Sequence, residues 1–584
     1  MTQASRNVEQ EQPNTSINET DTRPDTIARL IPQRVQQVWQ RLPQRLILFL
    51  LFCLIALGLD LYRLGAPSIW FDEAFSVELA RQPLPLLWHT IFGLEPNMEL
   101  YYLFLHFWLG LTTLLGLHPT EFVVRFPSAI FAALSTGVVF LWGRRFLNTT
   151  AGAVGAALYL LNYLQLIYAQ QTRAYSLQLL LTCVAWYALF SALTSKQAHE
   201  PMRAHESVRE HGRGRAVAPA ILRHPQRWWI CYTIVTVLAI YTHLFSGLIV
   251  LAQLVAVMGI ILIPNRWQDQ ARRQIKALVI SLVAMGVLII PMLLVAREGA
   301  KTGWLPIPHT QDLIQLVYML SGYHKLYLIV LMACCVLAIA VAVVTLTRLR
   351  PMLSTLIRSD GVAQQQDVVV ITWSLLCWLL IPIVVSYVIS HGSLRLFSNR
   401  YLVTIVPPLC LLMALGISML RWRLLRLVLA LGVIAIALTP VPLYYRSAQV
   451  EDWNSATHWV QQQYREGDGL VCYDNSLQQG CQVSVQYYLD AYPGAAHFTA
   501  DTPGPFSWEA FESANSDAAV DPSVLAAFGA KHPRIFFIVG RERDAAATAR
   551  AQAAEQWMDG HFQRVGQLEM RTVQVYLYET KTQK

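Results

Sequence analysis

Charged residues are scarce in this chain. Of its 584 residues, 14% are Asp, Glu, Lys or Arg and 54% are hydrophobic, whereas soluble proteins hold about 25% charged and roughly 45 to 50% apolar residues. A purely soluble enzyme is therefore not expected. Cysteines in metal-binding array are lacking too. Of nine cysteines, seven lie in apolar segments, where they act as small hydrophobes, and none forms a CxxC pair or another zinc-type spacing. That argues against a zinc module and a disulfide scaffold. The chain shows no internal inverted repeat of the kind common in secondary transporters, and its apolar segments are largely free of the mid-span charges that mark ion pathways. The net charge of +8 does not call for a nucleic-acid partner. In a membrane protein, basic residues inform through where they lie.

What the sequence has in abundance is long apolar runs. Leu46 to Leu59, Ile275 to Val295 and Leu326 to Leu346 each come near the roughly 20 residues that cross a bilayer, so the chain reads as a polytopic α-helical membrane protein. Residues 1–44 are rich in Gln, Asn, Thr, Asp and Arg without an apolar period, which predicts a disordered cytoplasmic tail. The first apolar run starts too far in, and lacks the cleavage pattern, for a signal peptide. Eleven spans are predicted, near 46–64, 124–143, 149–168, 173–194, 228–246, 247–264, 275–296, 325–347, 368–389, 401–420 and 424–443. The stretch 98–117 is also apolar, and whether it crosses sets the parity of everything after it.

Charge placement arbitrates. If 98–117 does not cross, Arg144 and Arg145, the basic loop 195–227, Arg266 to Lys276, Arg348 to Arg358, and Arg421 with Arg423 all fall on the cytoplasmic side, as the positive-inside rule requires. If it crosses, all of them move outside. The stretch is therefore read as a helix lying against the outer leaflet, its Tyr101, Tyr102, Phe104, Phe107 and Trp108 suited to an interface. Three regions follow: the tail 1–44, a membrane domain 45–443 with a long outer loop 65–123, and a soluble extracytoplasmic domain 444–584. In the last, Leu470 to Tyr473, Ile535 to Val539 and Val573 to Tyr578 read as strands, and Asp452 to Tyr464 and Ala545 to Met558 as helices, so a small α/β domain is expected. Cys472 and Cys481 lie there. An oxidising compartment would permit them to pair, and two free thiols are the alternative.

The sharpest local feature is Trp70-Phe71-Asp72-Glu73-Ala74-Phe75-Ser76, a few residues beyond the first span. Two adjacent acids at a helix start are explained by the helix dipole alone. A carboxylate held among aromatic side chains near a bilayer can also serve as a general base. Adjacent helical residues diverge by about 100 degrees, so one acid points into a site: Asp72 is read as the base and Glu73 as an orienting or acceptor-binding partner. A second feature is a set of arginines at the outer ends of spans, Arg125, Arg173, Arg395 and Arg400. Snorkelling onto headgroups accounts for each singly. Together they suit a cationic pocket for a lipid phosphate, whose oxygens match the guanidinium fork. His243 ends a span on the same side, either as interfacial packing or in contact with the phosphate or a metal. Lys301, Trp304, His309 and Tyr323 occupy a further outer loop, as surface residues or as a sugar platform.

These features together resemble the GT-C superfamily of polytopic glycosyltransferases that use a polyprenyl-phosphate-linked sugar, in particular the bacterial family 39 and RgtA/B/C/D-like group. The matching stretches are Trp70 to Ser76, Glu95-Pro96-Asn97 with Leu100-Tyr101-Tyr102 and Trp108, Arg125-Phe126-Pro127-Ser128-Ala129, Arg173-Ala174-Tyr175-Ser176, Tyr241-Thr242-His243, Arg400-Tyr401-Leu402 with Pro407, and Glu451-Asp452-Trp453. The chain departs from the pattern at Asn97-Met98-Glu99, where a proline often precedes the Leu-Tyr-Tyr. The resemblance implies juxtamembrane helices in the first outer loop and an acidic base there. It also implies transfer of a sugar, with inversion, from a polyprenyl-phosphate donor to a lipid, polysaccharide or protein acceptor on the outer face. Asp72 and Glu73 would be catalytic, and Arg125, Arg173, Tyr175, His243, Arg395, Arg400 and Tyr401 would bind substrate. No cofactor is required by this chemistry; a divalent metal is compatible with it, though Asp72, Glu73 and His243 do not specify a coordination shell. The competing readings are a transporter or flippase of lipid-linked sugars and an oligosaccharide ligase.

Overall fold

The computed structural model describes residues 44–95, 97–195, 225–296, 303, 305–347, 362–541 and 544–581. Residues 1–43 of the expected tail 1–44, most of the basic loop 195–227, and Lys301 and Trp304 lie outside the described residues. The contacts divide the chain into two units, Met1–Leu48 and Phe49–Lys584.

All eleven apolar segments are helical. By length and apolarity, however, eight helices among the described residues suffice to cross a membrane: Gln44–Leu61, Glu121–Phe146, Tyr175–Thr194, Ile275–Ala296, Lys325–Leu346, Asp367–Ile389, Tyr401–Ser418 and Arg423–Ser447. The remaining three account for the difference from the predicted eleven. Thr149–Leu160 and Tyr163–Ala169 form a pair bent by 61°, a ninth crossing if taken as one. Ser246–Leu262 has 17 residues, and the last is Pro225–Thr242. The break in the bent pair is local chemistry: the Asn162 side chain accepts from the Leu164 and Gln165 N–H groups, capping a new helix instead of continuing the old one.

Burial within each span shows what it faces. In Ile275–Ala296 only Leu278, Ser281, Met285 and Met292 are buried, a one-sided stripe that leaves Ile280, Val283 and Val287 exposed, as suits a helix with lipid on one side. Tyr401–Ser418 is buried throughout and forms the centre of the bundle. Small residues let backbones meet there: a Cβ on Gly143 would lie 2.7 Å from the Gly152 Cα, so the helices Glu121–Phe146 and Thr149–Leu160 approach as closely as glycine permits.

The stretch 98–117 forms the helix Glu99–Leu114, of 16 residues. At 1.5 Å per residue it is about 24 Å long, short of the roughly 30 Å hydrocarbon core. It packs on the helix Phe71–Arg81, His106 Nδ1 lying 2.7 Å from the Ala80 carbonyl oxygen. The first loop thus holds three short helices, Phe71–Arg81, Leu84–His89 and Glu99–Leu114.

The C-terminal region is a four-stranded sheet in the order β1 (Gly469–Tyr473), β4 (Arg534–Gly540), β6 (Val573–Thr580), β5 (Phe562–Glu569), with β1 and β4 parallel and the other pairs antiparallel. A separate two-stranded ribbon joins β2 (Phe506–Ser507) to β3 (Glu512–Ser513). Alternate residues of β4 serve opposite layers. Ile535, Phe537 and Val539 pack with Leu525, Ala551 and Met558, while Phe536 and Ile538 join Trp453, Val460 and Tyr487. That second layer continues into Ile69, Phe71, Phe75, Tyr101 and Tyr102 of the first loop, so loop and tail share one apolar core. Cys472 and Cys481 are paired, with Cα atoms 5.7 Å apart, joining β1 to the helix Gly480–Ala491.

Candidate active site

The two acids of the first loop face different ways. Asp72, in the first turn of Phe71–Arg81, keeps 16% of its side chain exposed and accepts a hydrogen bond from Arg400 Nη1 at 2.5 Å. Arg173 Nη2 lies 3.9 Å from the same carboxylate oxygen. The helix itself is gripped from below, since Arg173 Nη1 donates to the Asp72 carbonyl at 3.0 Å and to Ser76 Oγ at 2.9 Å. Arg173 Nε is buried without a hydrogen-bond partner. The pocket thus holds donor capacity beyond what Asp72 uses.

Glu73 turns inward and is fully buried. Arg125 donates to it through Nε at 2.9 Å and Nη2 at 2.7 Å, and the Thr172 N–H adds a third bond at 2.6 Å. The other three N–H groups of Arg125 go to the carbonyls of Leu64, Pro67 and Ser68. All five guanidinium donors are therefore spent. Glu73 and Arg125, both expected at the substrate, are here paired with each other in a buried fork that pins the loop to the start of Glu121–Phe146. The reason is the helical offset between adjacent residues, which sends one acid to the open face and the other to the protein interior.

Arg395 likewise has partners within the protein. It donates to the carbonyls of Ser390 and Gly392 and closes the C-terminal end of the preceding helix. Arg400, Tyr175, His243 and Tyr401 do gather around Asp72 and Arg173. The His243 ring is buried, 4.7 Å from that of Tyr401 and 5.7 Å from that of Tyr175. Its Nδ1 accepts from the Phe245 N–H and its Nε2 has no partner. Burial works against the charge on Arg400, but Asp72 together with the neighbouring Tyr175 and Tyr168 outweighs it and raises the guanidinium pKa, so Arg400 remains a cation beside the carboxylate. His309 and Tyr323 lie elsewhere, His309 starting the helix Thr310–Leu320 and Tyr323 stacking edge-on with Tyr163.

Several contributors carried little sequence signal. The Arg400 guanidinium lies 5.4 Å from the centre of the Trp70 ring, a cation–π contact. Glu451 Oε2 accepts from the Phe71 N–H at 2.9 Å and from Trp453 Nε1 at 2.6 Å, and Arg541 sits 3.9 Å over the Phe71 ring while pairing with Glu451 at 3.3 Å. The tail thereby caps the helix that bears Asp72. The Glu451-Asp452-Trp453 motif hinted at this; Arg541 gave no hint, because its partner lies 90 residues earlier.

Among the described residues, no group of three or more His, Cys, Asp and Glu side chains is placed to hold a metal ion. The acids nearest the pocket are already engaged by arginine.

This architecture, a polytopic helical bundle with short helices in its first loop and a strand-containing C-terminal domain, is a fold that solved structures share. Among solved structures, ArnT from Cupriavidus metallidurans bound to undecaprenyl phosphate is similar, with a TM-score of 0.51 at 13% identity over 90% of this chain and 97% of that one. The Archaeoglobus fulgidus oligosaccharyltransferase tethered to an acceptor peptide scores 0.46 at 10% identity, over 91% and 74%. No protein-family model matches the chain, and no curated protein matches it by sequence.

Proposed function

We propose that the protein is an inverting glycosyltransferase that moves a sugar from a polyprenyl-phosphate donor to a cell-envelope acceptor on the outer face of the membrane, with its N-terminus cytoplasmic and its C-terminal domain outside. The observation that carries the reading is the partly open Asp72 carboxylate flanked by Arg173 and Arg400 at the end of apolar spans. A base and a cationic anion pocket within one side-chain length of each other are what displacement of a lipid phosphate needs.

In this reaction Asp72 takes the proton of an acceptor hydroxyl. The hydroxyl oxygen attacks the anomeric carbon, and the bond from that carbon to the phosphate oxygen breaks, its electron pair leaving with the polyprenyl phosphate. Arg173 and Arg400 are already charged and oriented, so they stabilise the charge that builds on the leaving group without reorganising. Phosphate is a good enough leaving group to need no proton donor. Ser76 and the Asp72 carbonyl hold Arg173 in place, and Trp70 supports Arg400 from one side. The bound undecaprenyl phosphate of the similar ArnT structure supports a lipid-phosphate donor.

The test is release of polyprenyl phosphate by purified wild type and Asp72→Asn, supplied with a panel of polyprenyl-phosphate sugars and cell-envelope extract. The isosteric amide is expected to lower turnover by about 10²–10⁴-fold, the usual contribution of a general base, in a protein that still folds. Equal release by the two would reject Asp72 as the base.

A further inference from the structure

A cleft of about 240 Å³ opens in the C-terminal domain between the helices Trp453–Gln463 and Gly480–Ala491, lined by Asn454, Thr457, His458, Gln461, Tyr488 and Tyr492. No carboxylate, lysine or arginine lines it. Its walls are amides, a hydroxyl, an imidazole and two phenols, groups that both donate and accept neutral hydrogen bonds. The Tyr488 and Tyr492 rings stack with planes 10° apart, and Tyr492 is 40% exposed, so an aromatic face is presented to whatever enters.

Two further observations point to a ligand. Thr457 is 1% exposed, yet its hydroxyl has no hydrogen-bond partner, although burying such a group unpaired is costly. The walls are also rigidly held from behind. Glu121, buried at the start of a spanning helix, accepts from Tyr488 Oη at 3.0 Å, Tyr492 Oη at 2.5 Å and Asn454 Nδ2 at 2.5 Å. The same Tyr488 hydroxyl accepts from the Ile69 N–H at 2.7 Å and meets Ser68 Oγ at 3.0 Å, on the strand of chain that leads directly to Asp72. The cleft is a preformed neutral polar pocket tied to the loop that bears the proposed base.

We infer that this cleft is a carbohydrate subsite that binds a neutral sugar residue of the acceptor, away from the hydroxyl that reacts. The inference rests on the glycosyl-transfer reading for its purpose, but the binding can be measured separately. A sugar ring would lie against Tyr492, with Asn454, Gln461 and the idle Thr457 hydroxyl meeting its hydroxyl groups; a charged sugar gains no partner there.

The experiment is saturation-transfer NMR of full-length protein in lipid nanodiscs with maltose, cellobiose and chitobiose, and with glucose 6-phosphate as the charged control. The expected result is millimolar binding of at least one neutral disaccharide. Thr457→Val should weaken it about tenfold, the worth of one hydrogen bond, with no loss of thermal stability because that hydroxyl supports nothing in the protein. Tyr492→Ala should abolish binding, and Asp72→Asn should leave it intact. Failure of all three disaccharides to bind, equal binding of the phosphate control, or binding indifferent to Thr457→Val and Tyr492→Ala would overturn the subsite. If saccharide binding responds to Thr457 while release of polyprenyl phosphate proves independent of Asp72, Asp72 falls as the base and the subsite stands. The reverse pattern rejects the subsite alone.

Discussion

Asp72 and Glu73 are adjacent and identically charged at neutral pH by sequence, but their neighbours give them unrelated work. Replacing Arg400 by Lys should keep a cation beside Asp72 but lose the planar fork. Turnover should fall about 10²-fold, the scale of one missing donor to a developing anion, as measured by polyprenyl-phosphate release at saturating donor. The Glu73–Arg125 pair behaves differently. Glu73→Gln leaves a buried guanidinium without its counter-charge and should destabilise the protein by about 3–5 kcal/mol, visible as a lower thermal midpoint, whereas Glu73→Met with Arg125→Met should recover part of that loss. Glu99 offers a titration test. It is buried with both oxygens unpartnered, and burial first, then the Glu95 charge, raises its pKa to about 8. A carboxyl whose pKa is raised on folding stabilises fully below its ordinary value near 4.5, and that contribution disappears as pH climbs through 8. The thermal midpoint of wild type should therefore fall between pH 5 and 9 relative to Glu99→Gln, with the two equal near pH 4.

Among the elements, the short helix Phe71–Arg81 depends most on distant chain. Its N-cap residue Trp70 makes no side-chain capping bond, and Glu451 supplies one instead from the start of the tail. Burial raises the Glu451 carboxyl pKa, against the pull of Arg541 and Trp453, yet the bond to the Phe71 N–H persists as a remote cap. Glu451→Ala should cost about 1 kcal/mol, typical of a lost cap, and loosen the turn that aims Asp72. The signature is a fall in kcat with donor KM little changed, and partial rescue by Glu451→Gln, which keeps an acceptor oxygen. The helix Glu99–Leu114 shows why composition alone does not decide crossing: its residues suit lipid, but its 16 residues are short for a span and it packs on Phe71–Arg81.

At the scale of the whole molecule, loop and tail are one body because they share one core. Disturbing the tail should therefore be felt at Asp72. The Cys472–Cys481 bond ties β1 to Gly480–Ala491, the helix that supplies Tyr487 and Tyr488 to the first loop. Substituting both cysteines by Ser should lower stability by about 2–4 kcal/mol, nearer the lower figure for so short a loop, read as earlier proteolytic cleavage within 444–584. Transfer activity should decline with it at temperatures where the spans remain folded. Pairing of two cysteines in that region also accords with an oxidising compartment for the tail.

The sequence by itself determined the polytopic character, the helical state of the eleven apolar segments and three of the four strands of the main sheet. Apolar runs of about 20 residues, and strands such as Ile535 to Val539 that are buried on both faces, declare themselves through local composition. It did not declare β5, whose alternate residues are exposed and mostly polar, or the helix Gly480–Ala491. It assembled the parts of the site without deciding which parts meet. Arg125, Arg173, Arg395 and Arg400 look alike at span ends, but their fates were set by whichever acid or carbonyl the packed bundle brought within reach. Arg125 found Glu73, Arg395 found the carbonyls of Ser390 and Gly392, and Arg173 and Arg400 found Asp72. The Arg395 contacts are local, but the other pairings span tens to hundreds of residues, and desolvation drives a buried charge to take a partner that only the tertiary structure can supply.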